Sequence, residues 1–230
     1  MTPEAAASLR RAAAHVVVAD VTVPVLGDDD AHNVFRVLRV GDGDVVSVTD
    51  GRGSWRLCRA AGGSIEPISD VETEDPPEHP VTIAFTIPKM DRPEWIVQKL
   101  TELDVDRIVL LEADRSVVRW DEQRAAKHLA KLRRVAAEAA QQCRRVFVPE
   151  VVGPVPALSF LPGAVAAEPG DHPVAGAGPD AAHVIAIGPE GGWSDRELAA
   201  AAGFVSLGPT VLRVETAALV AAARRYGHRT

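Results

Sequence analysis

Two segments near the C-terminus constrain this chain more than any other feature. Ile187-Gly188-Pro189-Glu190-Gly191-Gly192-Trp193-Ser194-Asp195-Arg196-Glu197 follows the apolar stretch His183 to Ile187, and Leu207-Gly208-Pro209-Thr210-Val211-Leu212-Arg213-Val214-Glu215-Thr216-Ala217 follows it in turn. Each has the pattern of a strand that runs into a glycine-proline loop and then into a helix. Gly188, Gly191 and Gly192 permit positive φ or a close backbone approach, so such loops bare N–H and C=O groups that no side chain blocks. Ser194, with Glu197 three residues on, reads as a capping box that starts a helix at once. Tight turns chosen for geometry alone are the plain alternative. Two junctions together, with Glu190, Arg213 and Glu215 set among them, favour a small-molecule pocket made of main chain. No lysine follows the glycines and the spacing is not G-x-G-x-x-G, so phosphate-loop and dinucleotide sites are excluded.

At 230 residues and 47% hydrophobic, the chain can bury a substantial core as one large or two small domains. No stretch is long and apolar enough to predict a membrane span. The alanine-rich N-terminus carries Glu4, Arg10 and Arg11 and does not read as a secretory signal. Cys58 and Cys143 fit no metal or redox spacing; the expectation is two buried thiols in a reducing cytoplasm. The seven histidines are scattered and predict no metal site. A net charge of −7 argues against nucleic acid until its distribution is considered. Residues 1–76 hold seven lysines and arginines against thirteen acids, whereas 115–145 hold nine against three. Those nine cations form either a solvated helix face or a field that a phosphate backbone feels.

Residues 1–72 read as a small β domain, with short strands at His15–Val18, Val21–Val25, Val45–Thr49, Trp55–Arg59 and Ser64–Ser69. A helix or turn is expected over His32–Val40. Asp70 to Pro80 is acidic with three prolines and predicts a linker, placed at 73–80. From residue 81 to 230 strands and helices alternate, which predicts a parallel α/β sheet. The expected strands are Val81–Ile87, Arg107–Leu111, Phe147–Val151, Ala164–Ala167, His183–Ile187 and Phe204–Leu207. Helices are expected from Asp91 with the buried stripe Ile96, Val97, Leu100 and Leu103, over Asp121–Gln142, over Ser194–Ala202, and over Val214–Tyr226. Pro169–Ala182 reads as a loop of low information.

Residues 82–226 resemble the RsmE-type methyltransferases of the SPOUT superfamily. The matching words are Gln98-Lys99-Leu100-Thr101-Glu102-Leu103, Glu138-Ala139-Ala140-Gln141-Gln142-Cys143-Arg144-Arg145, Gly188-Pro189-Glu190-Gly191-Gly192, and Leu207-Gly208 through Leu212-Arg213-Val214-Glu215-Thr216-Ala217. His32, Val37-Leu38-Arg39 and Asp50-Gly51-Arg52-Gly53 are similar to that family's PUA-like RNA-binding domain. One departure is that Arg10-Arg11 has no adjacent aromatic residue. The resemblance implies an α/β fold: a trefoil-knotted parallel sheet with helices on both faces, behind a small N-terminal PUA-like β-barrel. It also implies a homodimer that uses S-adenosylmethionine to methylate N3 of a uridine in 16S rRNA, in the decoding region of the small ribosomal subunit. A related enzyme of that superfamily with another RNA target, or a ribosome-assembly factor without catalysis, are the alternatives.

The cofactor-binding residues so implied are Ile187, Gly188, Pro189, Glu190, Gly191, Gly192, Leu207, Gly208, Val211, Leu212 and Arg213. A valine at Gly191 is expected to block the pocket. RNA contacts fall to Arg36, Arg39, Arg52, Lys99, Arg115, Arg124, Lys131, Arg134, Gln142 and Arg145. Lys127 and Arg133, on the same expected helix, are further phosphate contacts. Lys99 and Glu102 are equally readable as a surface ion pair, and Arg145 as a helix C-terminal cation. N3 lies on the Watson–Crick edge, so the base must leave any stack and lose a proton. Arg145 and Arg213 are candidates for stabilising the anion, and Glu190 or Glu215 for taking the proton.

Overall fold

The structure is a computed structural model that describes residues 2–89, 92–169 and 183–226. It divides into two compact units. The first takes in the chain up to Pro77 together with Ala137–Val148, and the second Glu78–Ala136 with the chain from Pro149 onward. A single cut at 73–80 is therefore only part of the division, because the segment 137–148 belongs with the β-rich unit.

In the first unit Thr2 caps helix α1 (Pro3–Arg11), its hydroxyl accepting the Ala5 N–H at 3.2 Å. Strand β1 (Ala14–Val17) follows, then helix α2 (Asp28–His32), which continues into a π-helical turn, Asn33–Val37. The remaining strands are β2 (Val45–Thr49), β3 (Ser54–Ala61), β4 (Ser64–Pro67) and β5 (Glu72–Thr73). β1 pairs parallel to β2; β2, β3 and β4 are antiparallel, and β5 also pairs with β3. Strand alternation sends Val46, Val48, Cys58 and Ala60 into one core with Val16, Val34 and Ile65.

Three expectations for this unit change. Val21–Val25 is not a strand: Pro24 has no N–H to give a ladder, and the Asp20 carboxylate accepts the Thr22 N–H at 2.7 Å and its hydroxyl at 2.6 Å, turning the chain. Thr73 is in β5 rather than in a linker. Cys143 is half-buried, while Cys58 is buried as expected.

The segment 137–148 is tied in by main-chain bonds, with Gly53 N–H donating to Val146 O at 3.0 Å and Val148 N–H to Gly51 O at 2.9 Å. Phe147 bridges Arg52, and a Cβ on Gly53 would fall 2.6 Å from the Phe147 ring, so only glycine fits. His15 is buried beside this segment, its Nδ1 2.8 Å from Ser47 Oγ and its Nε2 3.0 Å from the Arg145 carbonyl. A carbonyl only accepts, so Nε2 carries the hydrogen. Burial pushes the imidazole pKa down to about 4, outweighing the carbonyl bond, which raises it; the Arg144 charge lowers it further.

The second unit runs β6 (Thr82–Thr86), α3 (Arg92–Glu102), β7 (Arg107–Glu112), α4 (Glu122–Cys143, of which Ala137 onward belongs to the first unit), β8 (Glu150–Pro156) and α5 (Ala157–Phe160). It continues through β9 (Val165–Ala167), β10 (Val184–Ile187), α6 (Asp195–Ala200), β11 (Gly203–Val205) and α7 (Val214–Tyr226). The six strands form one parallel sheet in the order β11-β9-β10-β6-β7-β8. Helices cover both faces, which is why β6 and β7 are nearly continuous apolar runs. On one face Ala84, Val109, Leu111, Ala166 and Ala186 pack with Ala157, Leu161 and Trp193. The alternate residues Ile83, Phe85, Ile108, Leu110 and Ile185 turn the other way, where α7 lies along β6 and β10 and packs on α3. Ala218, Ala221 and Ala222 give α7 a small-residue face for that approach.

Pro149 delays the strand expected at Phe147, so β8 starts at Glu150. β11 ends at Val205, two positions before Leu207. The expected helix start at Asp91 and the loop residues 170–182 lie outside the described residues. Among the described residues no helix is long and apolar enough to cross a membrane.

Candidate functional site

Strands β9, β10 and β11 end side by side, with Ala167 in register with both Ile187 and Val205. From β10 the chain passes to the far side of β9 to form β11, so strand order reverses here. In open parallel sheets the crevice beyond the carboxyl ends at such a reversal is where ligands bind. A cavity of about 210 Å³ opens at this place. The first junction lines it with Ile187, Gly188, Pro189, Glu190 and Gly192, and the second with Leu207, Gly208, Val211 and Leu212.

Two expected residues do not line the cavity. A Cβ on Gly191 would sit 3.5 Å from the Arg115 Cβ, in ordinary contact, so this position lies against Arg115. Arg213 is exposed and also lies off the wall. Conversely, Ala167, Glu168, Pro169, Thr210 and Ala217 line the cavity without having been singled out. The first three extend β9, whose place beside β10 is a fact of sheet order rather than of local pattern.

Each glycine turn is held from outside. Gly188 lets the buried Trp193 indole approach so closely that a Cβ would meet its ring at 2.9 Å. Arg115 Nη1 donates to Gly191 O and Trp193 O, both at 3.0 Å. Arg224 does the same for the second turn, donating to Ser206 O at 2.7 Å and Leu207 O at 3.0 Å. The capping box is formed: buried Glu197 accepts the Ser194 N–H at 2.8 Å, and its other oxygen takes the Asp114 N–H at 2.9 Å. Asp114 pairs with Arg196 and lies 2.5 Å from the Ser194 hydroxyl; these partners hold its carboxyl well below the usual carboxylate range. The loop after β7 and the loop after β10 are thereby fixed to each other.

The expected RNA contacts have mixed fates. In the first unit Arg36, Arg39 and Arg52 are exposed, and Arg39 adopts φ 58°, uncommon for a non-glycine residue. In the second, Lys99 Nζ is bound to both Glu102 oxygens at 2.8 Å, so the ion-pair alternative holds there. Arg115 pins the first turn instead of standing ready for phosphate. Lys131 pairs with Glu94 at 2.7 Å, and Arg133 Nε donates to Val151 O at 3.0 Å. Arg124, Arg134 and Gln142 are exposed on α4. Arg145 is half-buried in the first unit, its N–H on Ala140 O and its carbonyl on His15. Glu215, one of the two proton acceptors considered, is bound by Arg92 Nη1 at 2.6 Å. Among the described residues no group of three histidine, cysteine, aspartate or glutamate side chains is placed to hold a metal ion.

Residues 75–225 match the RNA methyltransferase domain family, and residues 26–60 match the RNA methyltransferase PUA domain. The ribosomal RNA small subunit methyltransferase E of Synechocystis sp. is 34% identical over 213 residues, covering 84% of this chain and 69% of the relative. The crystal structure of the ribosomal RNA small subunit methyltransferase E of Neisseria gonorrhoeae, bound to S-adenosyl methionine, shares the fold: TM-score 0.79 at 24% identity, covering 94% of this chain and 97% of that one. A Legionella pneumophila protein solved with the cofactor SAM bound gives a TM-score of 0.73 at 27% identity, covering 91% of this chain and 94% of that one. With its parallel sheet, its ligand-sized cavity between glycine turns and its PUA domain, the chain belongs to the RNA methyltransferase family.

Proposed function

We propose that this protein methylates N3 of a uridine in 16S rRNA of the small ribosomal subunit, in the decoding region, using S-adenosylmethionine. The observation that carries this reading is the cavity between the two glycine turns. Its wall suits that donor: bared amides and carbonyls can read the edges of adenine, and Ile187, Leu207, Val211 and Leu212 offer apolar surface for its faces. Two carboxylates, Glu168 and Glu190, face the same cavity and suit the cationic end. Bound there, S-adenosylmethionine supplies an electrophilic methyl group on a positively charged sulfur.

The chain's own residues then have two tasks. They hold a flipped uracil, and they favour its N3 anion by nearby positive charge, for which Arg145 and Arg213 are the candidates. Between the two proton acceptors, Glu190 is favoured, because it lines the cavity while Glu215 is engaged by Arg92. Exposed cations on α4, Arg124 and Lys127 among them, and Arg36, Arg39 and Arg52 of the PUA unit position the RNA through its phosphates. The working form is a cytoplasmic homodimer whose C-terminal sheet carries a trefoil knot. The test is transfer of labelled methyl to small subunits from a strain lacking the modification, followed by nucleoside mass spectrometry. The expected product is 3-methyluridine in 16S rRNA. Label in another nucleoside or another RNA points to a related enzyme, and cofactor binding without transfer to a non-catalytic assembly factor.

A further inference from the structure

Trp120 and His128 make a contact that the proposed chemistry does not use. Their rings stack with centroids 4.3 Å apart and planes 12° from parallel, which lays the indole that precedes α4 against a ring on the helix's second turn. Both side chains are only half-buried, so the stack keeps ring surface open to solvent. Arg124 and Lys127 stand exposed on the same two turns. The acids beside them are Asp121 and Glu122; the Asp121 carboxylate accepts the Arg124 N–H at 2.8 Å and so caps the helix. The segment leading to Trp120 is fixed to the cavity's first turn. Arg119 Nη2 donates to Ala113 O at 3.3 Å and Asp114 O at 3.4 Å, while Asp114 and Arg115 are tied to Glu197 and Gly191. Trp120 stands five positions past Arg115, at most ~18 Å of extended chain.

Open aromatic rings among cations match a single strand of RNA, whose phosphates meet the cations while an unpaired base stacks on a ring. A duplex offers such a stack no free base face, and an acidic peptide would use the cations and leave the rings idle. We propose that the Trp120–His128 stack is a subsite for an unpaired RNA base, with Arg124 and Lys127 holding the flanking phosphates. This rests on the proposed action on RNA and adds the place that receives a nucleotide neighbouring the target. Lifting the target uracil out of its stack leaves an adjacent base without a neighbour, and the ring pair replaces that lost contact. Every base has a π face, so the subsite selects unpaired RNA rather than a sequence.

Fluorescence anisotropy tests this on the full chain with two labelled probes of equal charge, a uridine oligomer of about ten nucleotides and the same length of abasic ribose phosphate. Trp120→Ala should weaken binding of the uridine oligomer by about tenfold and of the abasic one by less than about twofold. Trp120→Phe keeps a ring and should retain most of the affinity. Arg124→Ala combined with Lys127→Ala should weaken both probes alike and flatten their salt dependence. Equal losses on both probes for Trp120→Ala, or no loss on either, would overturn the assignment. Photocrosslinking of a uridine oligomer carrying 4-thiouridine to the wild-type protein, mapped by mass spectrometry, needs no variant and so survives a substitution that fails to fold. Adducts at Trp120 or His128 are expected, and adducts only elsewhere would also overturn the subsite. Methyl transfer to small subunits is measured alongside. Transfer by the wild type together with either overturning result removes the subsite alone, whereas absence of transfer by the wild type removes the proposed function.

Discussion

Replacing His15 with glutamine removes a titration that the fold makes costly, and its size follows from the structure. Burial lowers the imidazole pKa from 6.5 to about 4, so the folded protein holds His15 neutral where an unfolded chain would protonate it. Below pH 6.5 the unfolded state binds more protons at this site, and stability falls as pH drops, until the folded form also protonates near pH 4. Above the unfolded pKa the contribution is complete and flat. Lowering the pKa from 6.5 to about 4 corresponds to about 3 kcal/mol lost across that window. Glutamine cannot titrate, yet its amide can still reach toward the Arg145 carbonyl and Ser47. Urea denaturation at pH 7.5, 6, 5 and 4 should show the wild type losing about 3 kcal/mol more than His15→Gln over the series. Parallel curves for the two proteins would mean that His15 is not held neutral, and the reasoning would fail.

Three further outcomes are expected. Gly188→Ala puts a Cβ 2.9 Å from the Trp193 ring, so it should cost about 1–3 kcal/mol, shift tryptophan emission and weaken S-adenosylmethionine binding; an unperturbed spectrum with wild-type affinity would contradict it. Glu197→Gln leaves one of the Ser194 and Asp114 N–H groups facing an amide donor, which predicts a loss of about 1–3 kcal/mol in denaturant titrations; no measurable loss would remove Glu197 from its place as the tie between the two loops. Arg145→Ala keeps the main-chain bonds to Ala140 and His15, and should lower single-turnover methylation by on the order of 10²-fold with cofactor affinity nearly unchanged. Matching losses in both would show that Arg145 serves the cofactor or the fold instead.

Much of the site was legible because it is local. Gly188, Gly192, Gly208 and the Ser194–Glu197 box lie within short words whose backbone demands are intrinsic, and nine of the expected wall residues do line the cavity. What was not legible depends on which strand lies beside which. Glu168 joins the wall because β9 lies next to β10, and no local pattern carries that adjacency. Arg115 has the composition of an RNA contact, yet its guanidinium meets two carbonyls from residues far along the chain. Lys99 and Glu102 were open to two interpretations, and geometry chose the ion pair. In the β-rich unit, Pro24 and the Asp20 turn outweighed three valines of high strand propensity. The return of residues 137–148 to that unit is a long-range event, visible in the sequence only as glycines at 51 and 53 whose partners, Val148 and Phe147, lie nearly a hundred residues away.

A crystal soaked with S-adenosylmethionine would probe the shared foundation of all this. Density for the adenosyl group is expected in the crevice beyond β9, β10 and β11, against main chain of Gly188–Gly192 and Leu207–Gly208, with its cationic end toward Glu168 and Glu190. The donor bound elsewhere, with that crevice closed by its own side chains, would contradict the account.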